Sequence, residues 1–289
     1  MAPPDSAPES PRGSRARRRP RFGLTLLVGA LLLGWIIHVR TPGEIPPPSP
    51  DGVRVVTYNI RAGLDGLDHV AEDLRALQPD LVALQEVERG IARSRSEDQA
   101  GHLGAALDLH SAFAGSFEVD GGEHGIAILS RWPIQSTEIL ELPRGAGRWS
   151  RVALIAHVET PHGVVCFTCI HLARPWGWPF SNTTTRLQQI DAMRVRLRNE
   201  SVPRIVAGDF NSFPVSLEGW SLTRELDHAW HPWRDGWGTS FSLEAIGLWG
   251  AVKIDHIFHG PRWGSAGTWV APQGASDHRA VVADLTLQN

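Results

Sequence analysis

Lysine is nearly missing from this chain: Lys253 is the only one in 289 residues, and every other fixed cation is an arginine. We read that bias as the coding habit of a GC-rich genome, not as chemistry. Cysteine is almost as scarce, with only Cys166 and Cys169. Two thiols exclude a disulfide-stapled scaffold and a thiolate metal cluster. They lie three apart in the strand-like run Val164 to Ile170, so they point to opposite faces and cannot readily bridge or share a metal. We therefore expect them in the core. A His-x-x-x-His pair is absent as well, which argues against a zinc hydrolase. The net charge is only −3, and it is unevenly spread. Residues 1–50 hold seven arginines against Asp5, Glu9 and Glu44, whereas residues 51–289 carry 21 basic and 28 acidic groups. An acidic domain has no global pull toward nucleic acid, although a local basic groove is open to it.

Long hydrophobic runs are absent too, with one exception. Residues 1–21 are rich in Pro, Ser and Arg and are expected to be disordered. Phe22 to Val39 then gives 18 residues without a formal charge. As a helix rising about 1.5 Å per residue, that run nearly spans a bilayer's hydrocarbon. Five arginines crowd its N-terminal side between Arg15 and Arg21, and only Arg40 follows. That asymmetry keeps the N-terminus in the cytoplasm and sends the rest outside. A cleaved signal peptide is the competing reading, but no small-x-small cleavage site follows, which favours an uncleaved, single-pass anchor in the cell membrane. Residues 40–52 read as a Pro-rich, semi-rigid linker. Residues 53–289, without repeat or second linker, read as one α/β domain.

Within that domain apolar runs end repeatedly on polar residues. Val53 to Tyr58 leads to Asn59, Leu81 to Leu84 leads to Gln85-Glu86, Val164 to Ile170 leads to His171, and Ile205 to Ala207 leads to Gly208-Asp209-Phe210-Asn211. Further strands are expected at Gly125 to Ser130, Arg151 to Val158, Lys253 to Phe258 around Asp255, and Ala280 to Leu285 after Asp277-His278. Helices are expected at about Leu67 to Leu77, closed by Pro79, then Glu97 to Leu109, Thr183 to Asn199, and briefly after Ser216. Strand ends are where α/β folds build sites. Glu86 and Asp277 offer hard oxygen ligands, Asn59 and Asn211 carboxamides, Asp209 a base, and His171 and His278 proton carriers or charge stabilisers. Such a set suits Mg²⁺, or Mn²⁺, better than Zn²⁺.

In this order the segments resemble the endonuclease/exonuclease/phosphatase superfamily. The likeness runs through Thr57-Tyr58-Asn59-Ile60, Leu84-Gln85-Glu86-Val87, Ala127 to Arg131, His171-Leu172, Gly208 to Asn211, Ile254 to Phe258 and Ser276-Asp277-His278. Each piece alone is weak, and seven in order are specific. The resemblance implies a two-layered β-sandwich flanked by helices, with its site at one end. It implies metal-assisted attack of water on a phosphodiester, with Glu86 as principal Mg²⁺ ligand beside Asn59 and Asp277. Asp209 would orient or deprotonate the water, Asn211 would hold the phosphate, and His278, positioned by Asp255, would stabilise the developing charge. His171 places the chain with the deoxyribonuclease and sphingomyelinase branches.

Some residues stay open at this point. Glu123 is either a partner for His171 or a solvated loop carboxylate. Arg186 and Gln189 are expected to orient the loop after His171, and Asp65, Asp68, Asp80 and Asp284 to be turn, cap or surface residues. Trp176 and Trp178 follow His171 in an aromatic loop that either meets a lipid interface or bases, or folds back as packing. The expectation is thus a monomeric, membrane-anchored phosphodiesterase acting outside the cytoplasm, with a nucleic-acid substrate. A phospholipid phosphodiesterase or phosphatase is the alternative, and a catalytically dead binding module is a weaker third. No protein partner can be inferred.

Overall fold

The computed structural model describes residues 45–145, 149–175, 182–236, 238–243 and 251–288. The tail, the Phe22 to Val39 run, and Trp176 and Trp178 lie outside them. Among the described residues no helix is long and apolar enough to cross a membrane.

Fourteen strands are described: β1 Gly52–Asn59, β2 Leu81–Arg89, β3 His110–Val119, β4 Gly122–Ser130, β5 Ile134–Leu142, β6 Arg151–Thr160, β7 Gly163–His171, β8 Arg204–Asp209, β9 Asp227–His228, β10 Phe241–Ser242, β11 Ala251–Val252, β12 Asp255–His259, β13 Trp263–Val270 and β14 Val281–Leu287. The helices used below are α1 Leu67–Leu77, α2 Gln99–Leu107, α3 Thr183–Leu197 and α4 Leu217–Leu222. Two six-stranded sheets form, ordered β13-β14-β1-β2-β4-β3 and β5-β6-β7-β8-β12-β9. Only one neighbouring pair in each is parallel, β1 with β2 and β7 with β8.

The burial pattern explains the layers. Alternate residues of central strands, Val53, Val55, Leu81 and Ala83 from one sheet and Phe167, Cys169, Ile205 and Ala207 from the other, make the core between the sheets. The intervening residues Val56, Val82 and Leu84 pack with α1 and α2 through Val70, Leu74 and Leu103. On the second sheet Cys166, Ile170 and Val206 meet α3 through Ile190, Met193 and Leu197. Strands covered on both faces read as continuous apolar runs, which is why these central ones were legible. The cysteines are free and buried in different layers, as their spacing requires. The fold is the expected sandwich flanked by helices.

Two expectations are corrected. Asp80 and Asp284 are not surface residues: both are 4% exposed. Arg54 on β1 donates to both Asp284 oxygens at 2.7 and 2.8 Å, and its backbone N–H donates to Asp80 Oδ2 at 2.8 Å. Buried carboxylates persist only when paired in this way. Glu86 does not lie in a strand exit either, because β2 runs on to Arg89 through a bulge between Gln85 and Val87. Before β1 the chain is laid on the domain, with Ile45 packed against the α1 and α2 layer and Arg54 Nη2 donating to Pro46 O at 2.7 Å.

Candidate active site

The parallel pairs fix the position of the polar residues. Asn59 closes β1 beside β2, and His171 and Asp209 are register partners at the ends of β7 and β8. Asp255, the first residue of β12, is the register partner of Asp209 on its other side. Gly208 makes this ladder possible, because a Cβ there would meet Ile170 O at 1.9 Å. Glu86 sits in the bulge with φ of 55°, a left-handed conformation that costs an ordinary residue energy. The bulge takes Glu86 out of the β2–β4 pairing, and its carboxylate meets the β1 end.

There Asn59 Nδ2 donates to Glu86 Oε1 and to Asp209 Oδ2, both at 3.2 Å. His278 Nδ1 lies 2.9 Å from Asp255 Oδ2, and its Nε2 is 3.9 Å from Asp209 Oδ2. His171 Nε2 approaches the same Asp209 oxygen at 3.4 Å. Ser276 Oγ donates to Asn59 O at 2.7 Å and accepts from His278 N at 3.2 Å, tying the last loop to the end of β1. Ser240 Oγ accepts from the N–H groups of Ile254 and Asp255 and so fixes where β12 begins. Asp277 is held by Ser276 Oγ at 3.3 Å and faces Arg61 at 3.7 Å. Asn211 N donates to Asp209 Oδ1 at 2.8 Å, while its Nδ2 donates to Leu172 O at 3.1 Å. All eight sequence-derived residues therefore fall at one end of the molecule, linked through these contacts.

Burial and mutual charge set the protonation states. Burial, reinforced by Asp255, pushes the Asp209 carboxyl up to about 7, against His278. Burial opposes charge on His278, but the charge and hydrogen bond of Asp255 prevail and push it up to about 10. His171 is driven the other way, by burial and then by Arg151. The site thus couples a neutral imidazole, an imidazolium and a carboxylate near its titration point, all within reach of one oxygen of Asp209. Such a group can take up, hold and return a proton.

Arg151 was missed by sequence reasoning. It opens β6, where its backbone pairs with Leu142, it is 8% exposed, and among the described residues its guanidinium makes no hydrogen bond or ion pair. Glu86 and Asp209 act on its charge, and it in turn acts on His171. A guanidinium never gives up its proton in a protein, so a buried one without a partner is directed toward an anion. The available signal was a charged residue at the head of the apolar run Val152 to Ala156. Glu123 does not pair with His171: it is bound to Arg89 at 2.5 Å, and its neighbour His124 turns inward, 3.4 Å from Glu88 Oε1. Arg186 and Gln189 behave as expected. Arg186 binds Glu218 at 2.8 Å and Ala173 O at 3.1 Å, and Gln189 Oε1 accepts from Ala173 N at 2.9 Å.

The donors fit a hard divalent cation. Asn59, Glu86, Asp209 and Asp277 offer only oxygen to it, while His278, kept charged by Asp255, has no lone pair for a metal. Asn59 Nδ2 now donates to both Glu86 and Asp209, and the amide turned over would offer Oδ1 to a cation instead.

Comparison with known proteins agrees with this geometry. The profile described as the Endonuclease/Exonuclease/phosphatase family matches residues 56–278. An endonuclease/exonuclease/phosphatase from Beutenbergia cavernae DSM 12333 superposes with a TM-score of 0.69 at 24% identity, covering 83% of this chain and 72% of its own. The human nocturnin catalytic domain, solved with a bound sulfate anion, gives 0.64 at 20% identity over 86% of this chain and 97% of its own. A mannosyl-6-phosphatase from Bacteroides thetaiotaomicron VPI-5482 gives 0.61 at 18% identity over 81% and 100%. No curated protein matches the chain.

Proposed function

Because the chain belongs to the endonuclease/exonuclease/phosphatase family, we propose that it is a Mg²⁺-dependent phosphodiesterase, held at the cell membrane by residues 22–39 and acting outside the cytoplasm on nucleic acid. The observation that carries the reaction class is the buried group Asp209, Asp255 and His278, set beside Asn59 and Glu86 where both parallel strand pairs end. Glu86, Asn59 and Asp277 would hold the metal, which would supply positive charge against the phosphoryl oxygens. Mn²⁺ suits the same donors.

The chain's own groups do the rest. Asp209 accepts the proton of the attacking water through Oδ2, and neutral His171 keeps that oxygen oriented. Asn211 spends one N–H on Leu172 O and has the other for a phosphate oxygen. His278, kept charged by Asp255, stabilises the negative charge that grows on the phosphoryl group. Arg151 adds a second fixed cation. A phosphodiester repels nucleophiles by its own charge, so groups that meet this charge as it develops accelerate the reaction most.

A second reading, a lipid phosphodiesterase, is favoured by one observation. Beginning two residues past Asn211 the chain exposes Phe213, Val215, Leu217 and Trp220, an apolar stretch of surface. The full chain is assayed with Mg²⁺, Mn²⁺ or EDTA against plasmid DNA, RNA and sphingomyelin-containing vesicles. EDTA-sensitive nicking supports the nuclease, and vesicle-only turnover the lipid enzyme. Asp209→Ala and His278→Ala each lose about a thousandfold or more in kcat if the roles hold. Wild-type turnover by either variant, or no phosphate-ester hydrolysis at all, overturns the proposal.

A further inference from the structure

The sheet that carries His171 and Asp209 has a second group of metal-ligating side chains at its other end. His157 on β6 and Cys166 on β7 are cross-strand register partners, and Glu200 follows α3. His157 Nε2 is 2.9 Å from Glu200 Oε2. One nitrogen of His157, the Cys166 sulfur and one Glu200 oxygen all lie within 4.8 Å of one another. Cys166 stands five residues before His171 on one strand, so about 16 Å separates this group from the candidate active site.

Two of the donors are already oriented by a second partner. In the metal-free protein His157 Nε2 carries its proton toward Glu200, and Ser136 Oγ, 3.3 Å from Nδ1, is placed to accept a ring N–H there once Nε2 gives its lone pair to an ion. Arg196 Nη1 donates to Glu200 Oε1 at 2.6 Å, which leaves Oε2 turned toward His157. Arg196 is bound in addition to Glu138 at 2.6 Å, so its charge is shared between two carboxylates. The β6–β7 ladder fixes Cys166 on the helix-covered face, and the partial exposure of His157 and Glu200 gives an ion and a water a route in.

We infer that His157, Cys166 and Glu200 form a second divalent-metal site, of the nitrogen, sulfur and oxygen type that takes Zn²⁺, with water in the fourth position. Burial and the nearby Glu200 push the Cys166 thiol up to about 12, so without metal it stays protonated and unreactive. On binding, the S–H proton leaves to solvent and the sulfur–metal bond forms. The imidazole proton moves from Nε2 to Nδ1, and nothing is oxidised or reduced. The ion would pin β6 and β7 to the end of α3.

The test is titration of the reduced full chain with Co²⁺, whose thiolate complexes give a near-ultraviolet charge-transfer band. The wild type is expected to show the band, Cys169→Ser to keep it, and Cys166→Ser to lose it. Zn²⁺ should displace it, and Glu200→Gln should weaken Co²⁺ binding at least about tenfold. If Cys166→Ser does not fold by circular dichroism, loss of the band in His157→Gln supports the site and an unchanged band overturns it. A folded wild type with no band, or a band that survives in Cys166→Ser, also overturns it. The candidate active site has no thiol among the described residues, so the readout stands whether or not the chain hydrolyses phosphate esters.

Discussion

At the residue scale two buried cations carry opposite messages about stability. Arg151 meets Glu86 and Asp209 only through space, so the folded protein gains little from it. Arg151→Ala is expected to lower kcat/KM by about a hundredfold, the cost of one donor to a developing anion, while leaving the urea midpoint unchanged or raised. Arg151→Lys should restore little, because an ammonium lacks the planar fork. Lys253 is 4% exposed, its Nζ has no hydrogen-bond partner, and the Trp230 ring lies 5.8 Å away. Burial pulls its pKa down from 10.5 to about 8, against the charge of Asp255. Below pH 8 both folded and unfolded chains are protonated there, and folding bears the full penalty. Between about 8 and 10.5 the unfolded chain binds more protons, so stability rises with pH. Lys253→Met should therefore stabilise the protein at pH 7 by up to about 3 kcal/mol, a gain that fades toward pH 10.5. Denaturant melts of both proteins at pH 7 and pH 10.5 check the sign.

At the element scale the sequence was legible where strands are covered on both faces. Val53 to Asn59, Leu81 to Leu84, Val164 to His171 and Ile205 to Asp209 stood out as apolar runs, and so did the polar residues that end them. Within the two six-stranded sheets the strands that were not anticipated, β3, β5, β9 and β13, are the edges, and the short pair β10 and β11 outside them was not anticipated either. Edge strands have one neighbour and less cover, so their sequences, such as His110 to Val119 and Ile134 to Leu142, mix polar and apolar residues without a clear period. The bulge at Glu86 was illegible for another reason: an irregular register depends on the facing strand. Buried ion pairs are hidden likewise, since Arg54 and Asp284 are 230 residues apart and meet only when β1 pairs with β14. Asp284→Ala strands the Arg54 guanidinium and is expected to cost about 3–5 kcal/mol in urea unfolding. The double change Arg54→Met with Asp284→Leu should recover most of that loss, because it removes both buried charges together.

At the scale of the whole molecule, one end of the two-sheet domain gathers the carboxylates that a cation would meet. A cation bound among Asn59, Glu86 and Asp277 interacts with the folded form alone, so millimolar Mg²⁺ should raise the thermal midpoint. At a hundred times its dissociation constant the ion adds about 2.7 kcal/mol. Glu86→Gln should abolish the Mg²⁺ shift in a melting experiment. The family match spans residues 56–278, and the two-sheet core reaches past both limits, from Val53 on β1 to Leu285 on β14.

The way the chain joins that core has a practical consequence. Ile45 and Pro46 are clamped to the domain, and β1 then runs from Gly52 to Asn59, so the start of that strand lies about 23 Å from the site. A bead, fluorophore or purification handle coupled at exposed Asp51 would stand at the opposite end of β1 from Asn59. Immobilised in that orientation, the protein presents its open end to bulk solution, where even a long polymer has room to approach.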